Sequence, residues 1–114
     1  MRVRVTTTKG DAVDRLTILQ IKHEHGMPIP TEMYYELQVH RNTKEYGQLL
    51  FINTVLWNVE DRIREAHATR NVYLVFLLSR EVIYWNRRRA EVKACIDEDA
   101  GLIPEPKNYF DGGI

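Results

Sequence analysis

Two sets of polar residues recur at intervals that would place them side by side on helices. Asn53, Trp57, Glu60 and Arg64 form one set, and Arg80, Tyr84 and Arg88 form the other. A third series steps from Val72 through Phe76, Ser79, Ile83, Asn86 and Ala90 to Lys93, and turns from apolar to polar along its length. Amide, ammonium and carboxylate groups buried on such faces cost roughly several kcal/mol unless they are paired. Proteins keep them for a ligand, for specificity, or on faces that stay solvated. The chemistry to expect is anion recognition. Arg80, Arg88 and Lys93 would hold a phosphate or carboxylate, and Asp14 and Glu60 would orient those cations or serve as acid or base.

Each of these residues also has a plainer reading. Glu60 and Arg64 are four apart and could form a surface ion pair worth a few tenths of a kcal/mol. Asn86 could fix helix register from within the core, and Lys93 could reach water past Cys95 and Ile96. Arg87, Arg88 and Arg89 are consecutive, so on a helix they point to different sides, which disfavours a nucleic-acid face. The run His23, Glu24, His25 lacks the four-residue histidine spacing of a zinc helix, and no metal site is expected. Cys95 is expected to pack as a small hydrophobe. No phosphate loop, nucleophile elbow or paired-carboxylate signature occurs. No cofactor is implied, and whether the protein is an enzyme stays open.

The elements that must position these residues read as helices throughout. Helix one is expected from about Asp11 to His25, started by Thr8 with Asp11 and stopped by Gly26. Helix two begins at Thr31, with Glu32 in its first turn, and nothing clearly stops it before about Thr69. Its second half carries the seam Leu49, Ile52, Leu56, Val59, Ile63, Ala66, and Gly47 is its weak interior point. Helix three runs from about Val72, capped by Asn71, to Asp97. An extended, proline-stiffened tail occupies 101–114 and is expected to lie over the bundle, with Lys107 and Tyr109 closing over it. The expected fold is all-α: one domain over 1–114, an antiparallel bundle of short, long and medium helices.

A continuous helix two would be ~55 Å long and would overhang a compact domain of this size, whose radius of gyration is ~13 Å. Either it bends near Gly47 or a second copy covers its ends. Met33, Tyr34, Tyr35, Leu37 and Val39, with only helix one to cover them, favour a homodimer. Short connections make neighbouring helices antiparallel, which brings Asn86 opposite the Asn53–Trp57 stretch, Lys93 near Leu49, and Asp14 towards the same middle region.

The 114 residues carry 16 basic and 16 acidic side chains, so no net charge steers the chain to nucleic acid or to a membrane surface. The single cysteine suits a reducing compartment. With no secretory leader or membrane span in view, a cytoplasmic location is expected.

Three blocks resemble a known family. They are GDAVDRLTILQIK (Gly10 to Lys22), LWNVEDRIRE (Leu56 to Glu65) and SREVIYWNRRRAEVKACID (Ser79 to Asp97), with a fainter echo in the tail IPEPKNYF. Together they resemble the all-helical "domain of unknown function 6165" proteins of bacteria and phages. Carried across, the family's polar signature falls on Asp14, Lys22, Glu60, Asp61, Arg64, Arg80, Tyr84, Asn86, Arg88, Arg89, Lys93 and Lys107. Gln20 and Arg87 stand where the family usually has acids, which would make a site here more cationic. The resemblance implies fold and positions but no reaction.

Two functions follow as expectations. One is a small interaction or scaffold protein whose polar residues form an inter-helix network, working as a homodimer or with another protein. The other is a binding protein or small enzyme for an anionic metabolite, such as a sugar phosphate, nucleotide sugar or carboxylate. Its ligand set would be drawn from Asp14, Lys22, Asn53, Trp57, Glu60, Arg64, Arg80, Tyr84, Asn86, Arg88, Lys93 and Lys107.

Overall fold

A computed structural model describes residues 8–101. It contains four α-helices and a 3-10 turn: α1 (Lys9–Glu24), α2 (Thr31–Leu37), the 3-10 turn (Gln38–Asn42), α3 (Tyr46–Ala68) and α4 (Val72–Asp99). The all-α expectation holds, with four helices where three were expected. No helix among the described residues is long and apolar enough to cross a membrane. The tail from 102 onward, with Lys107 and Tyr109, lies outside the described residues.

Local chemistry accounts for most helix ends. The Thr8 hydroxyl accepts the Asp11 amide at 3.1 Å, and Gly26 leaves α1 with a φ of 72°. The Asn71 side chain accepts the Leu74 amide at 3.1 Å and starts α4. Thr31 is the first residue of α2 and makes no side-chain cap.

The long second helix is not continuous. It breaks over 38–45, upstream of Gly47, which sits inside α3. Val39, His40, Asn42 and Thr43 are weak helix formers, and Thr43 turns extended with a ψ of 133°. Arg41 then ties the turn down. Its guanidinium donates to Gln38 and Gln20 side-chain oxygens (2.8 and 3.0 Å) and to the Tyr46 and Tyr34 hydroxyls (3.2 and 3.3 Å). As a result α2 and the 3-10 turn fold against α1 instead of projecting. The longest dimension stays at 45 Å. The overhang that favoured a second copy is therefore absent, although Met33, Tyr35 and Val39 are still exposed.

The helices α1, α3 and α4 each pack against the other two. The core is Val13 of α1, Leu49, Ile52 and Leu56 of α3, and Val92 and Ile96 of α4, flanked by Tyr46, Val82 and Trp85. The seam expected on α3 faces inward. The short turn after Ala68 makes α4 antiparallel to it, and Lys44, just before α3, meets Asp99 at the far end of α4 at 3.4 Å.

The inward face of α4 differs from the one read in the sequence. Leu78, Val92 and Ile96 are its buried residues, whereas Val72, Phe76 and Ile83 of the expected stripe are 78%, 58% and 49% exposed. Cys95, expected to be packed, is also exposed.

Close approach of α1 to α4 is set by Gly10. A Cβ built there would lie 2.7 Å from the Lys93 carbonyl oxygen. Its amide donates to Asp97 Oδ1 at 2.7 Å, which places a carboxylate at the positive end of α1.

Candidate functional site

At the waist, where α1, α3 and α4 meet, the polar side chains bind one another. Asp14 is 5% exposed and takes a two-pronged contact from Arg89: Nε to Oδ1 at 2.9 Å and Nη2 to Oδ2 at 2.5 Å. Asn53, also buried, donates its two amide hydrogens to Asp14 Oδ1 (2.8 Å) and Thr17 Oγ1 (2.7 Å). The Thr17 hydroxyl returns to the Asp14 carbonyl at 2.6 Å. Lys93 meets Asp11 at 2.7 Å and lies 3.9 Å from Asp14 Oδ2. The hydrogen bonds that Arg89 donates to Asp14 raise its pKa above the ordinary value despite burial, so the guanidinium stays charged. Among the described residues no buried side-chain nitrogen or oxygen lacks a partner. The cluster is closed in the sense that each of these side chains has a partner within the fold.

Beside it lies a small cleft of about 210 Å³ between the same helices. Lys22, Asn53, Trp57, Glu60, Asn86 and Arg89 line it over a floor of Ile18, Ile21 and Leu56. The His25 ring leans on Trp57 at 4.7 Å, and its Nδ1 lies 2.7 Å from the Ile21 carbonyl oxygen. Ordinary small-molecule pockets run from about 300 to 1,000 Å³, so this one admits only a small group.

The expected residues therefore separate into places. Asp14, Asn53 and Lys93 belong to the closed cluster. Lys22, Trp57, Glu60 and Asn86 reach the cleft, which also contacts Asn53. Arg64 is elsewhere: it pairs with Asp61 on the exposed side of α3, not with Glu60. Arg88 pairs with Glu91 at 2.7 Å. It also borders a separate, wider groove of about 470 Å³ with Phe51, Trp85 and Tyr84. Arg80 and Tyr84 share a surface hollow with Leu77 and Glu81 on the outside of α4. Arg80, Arg88 and Lys93 do not converge. Thirteen residues separate the first from the last, ~20 Å along the helix, and they leave it in different directions.

Residue spacing missed the partners that close the cluster, although the family resemblance includes Arg89 in its polar signature. Arg89 was one arginine in a run of three, and its carboxylate lies 75 positions away in the chain. Asp11, Thr17 and the Gly10–Asp97 contact carried no signal from spacing alone. The first and third of the conspicuous blocks do contain these residues, with Gly10 and Asp97 at their outer ends.

No group of three His, Cys, Asp or Glu side chains among the described residues could hold a metal ion. In comparisons with known proteins, no protein-family model matches the chain, no curated protein is similar to it, and no solved structure matches it.

Proposed function

We propose that this is a small helical interaction protein that works as a homodimer, its waist charges holding the helices together rather than holding a ligand. The observation that carries this reading is the closure of the waist. Asp14, Arg89, Asn53 and Lys93 are all engaged by one another or by Asp11, while large apolar side chains remain uncovered on the outside of α4. We also place the chain with the "domain of unknown function 6165" proteins. That placement is supported by three ordered blocks, of which the first and third supply Gly10, Asp14, Arg89, Lys93 and Asp97 to the helix contacts described above.

A second reading has its own observation. Lys22, Asn86 and Arg89 line one cleft with Trp57, a set suited to a small anionic group of a metabolite. Thermal unfolding against a panel of sugar nucleotides and phosphorylated metabolites separates the two. The interaction reading expects no shift from any panel member. A ligand at a hundred times its dissociation constant would add about 2.7 kcal/mol. Such a shift, abolished by Lys22→Ala, would overturn the interaction reading in favour of the second.

A further inference from the structure

The helix α4 is apolar on two sides. One side, with Leu78, Val92 and Ile96, is buried in the bundle. On the other, Val72, Tyr73, Phe76, Leu77, Ile83 and Tyr84 are 78%, 72%, 58%, 38%, 49% and 54% exposed. At about 100° per residue these six fall within an arc of about 140° that does not overlap the buried one. Among the described residues, the bundle leaves most of this face exposed.

Its size and outline say what fits. With the aromatic side chains at about 150–250 Å² each and the aliphatic ones somewhat smaller, the exposed fractions of all six sum to about 600 Å² of largely apolar surface. That reaches the upper limit of the largest patch on ordinary monomers and approaches the ~800 Å² per partner of a standard interface. The strip spans 72–84, or ~18 Å of helix, and charge stops it at both ends, with Arg70 before it and Arg87 after it. Tyr73, Phe76, Arg80 and Ile83 are spaced as the seam of a two-helix contact, and Arg80 is its one charged member.

The charge selects the pairing. A parallel partner copy would set Arg80 against Arg80 and Arg87 against Arg87. An antiparallel copy, with position 78 level with position 78, sets Tyr73 against Ile83 of the partner copy. It also sets Phe76 against the partner copy's Arg80, a guanidinium over a ring. The two Leu77 side chains meet beside the axis, and Tyr84 is level with the partner copy's Val72. The two Arg80 positions are then about one helical turn, ~6 Å, apart along the axis. The strip thus complements itself in one orientation.

We infer that this outer face of α4, over 72–84, is a two-fold antiparallel interface with a second copy of the same chain. The inference rests on the homodimer reading above and adds the face and the register. The test is the solution mass of the full chain at about 100 µM, a concentration well above that of most stable dimers. Wild type is expected at twice 13.5 kDa. Phe76→Glu is expected to halve that mass while keeping the helical circular dichroism.

Register is read separately, in a Cys95→Ser chain carrying Tyr73→Cys and Ile83→Cys. A short bismaleimide is expected to join two such chains, and a Tyr35→Cys control is not. A monomeric wild type overturns both the homodimer and this face. A dimer that survives Phe76→Glu but is broken by Tyr35→Glu overturns this inference alone and leaves the homodimer reading standing. Absence of the 73–83 cross-link in a dimeric chain overturns the register.

Discussion

The two halves of α4 invert the usual distribution of side chains. Its C-terminal half sends Arg89 and Lys93 inward to the carboxylates of α1, and its N-terminal half presents tyrosine, phenylalanine and isoleucine outward. The difference lies in what each half has to pack against. The short helix α1 runs alongside only part of the hairpin and brings Asp11 and Asp14, so cations there are paired and burial is tolerable. Among the described residues, the other half of α4 packs on α3 through one side and has no third helix beside it. In the proposed reading, charge inside this molecule serves the fold, and apolar surface outside it is the part offered to a partner.

The largest effect is expected where the inward charges are broken. Asp14→Ala leaves Arg89 without its carboxylate and Asn53 without one acceptor. It should cost about 3–5 kcal/mol in urea unfolding, the range for one lost partner of a buried ion pair. A loss below about 1 kcal/mol would mean the cluster is not holding the helices. Gly10→Ala tests the approach of α1 to α4 without altering Asp14 or Arg89, though its methyl group would also crowd Asp97 Oδ1 at 2.9 Å. Its methyl group would meet the Lys93 carbonyl at 2.7 Å, so the helices must separate, at about 1–3 kcal/mol. A neutral result would place α1 farther from α4.

The outer half is expected to behave in the opposite way. Tyr73→Ser, at a side chain 72% exposed, should change the stability of the folded chain by no more than about 0.5 kcal/mol when measured well below the association range. A large loss would show that this face is covered within the chain itself.

The smallest effect concerns the turn before α3. Burial raises the Tyr46 pKa above its ordinary 10.0, partly opposed by Arg41. The folded state thus holds that proton more tightly than the unfolded one. The associated stability is complete below pH 10 and declines as pH rises through the folded pKa. Tyr46→Phe should flatten that decline in alkaline unfolding. An unchanged slope would remove the phenol from the account.

Much of the frame is legible in the sequence because it is written locally. Thr8, Gly26 and Asn71 mark helix ends by their own hydrogen bonds or backbone freedom, and the α3 seam repeats at one period. The three-residue turn before α4 likewise implies that Asn86 comes level with Asn53 and Trp57, and all three line one cleft. The break over 38–45 is not written locally. Weak helix formers permit it, and the contact that ties the turn to α1 runs from Arg41 to Gln20, a residue of a different helix. The facing of α4 is ambiguous for a physical reason: with two apolar sides, periodicity selects either, and only the position of α1 tells which is inside. Arg89 is illegible from periodicity for the same cause: the resemblance names it beside Arg88, but its role comes from Asp14, which spacing does not reveal.

The central claim, that the waist charges serve the fold, is tested most directly by a double-mutant cycle in urea on Asp14→Ala, Arg89→Ala and the pair, all at one protein concentration. The account predicts that each single change is costly and that the double change costs less than their sum, with a coupling of about 1–3 kcal/mol. Single variants within about 0.5 kcal/mol of wild type, with no coupling between them, would contradict it.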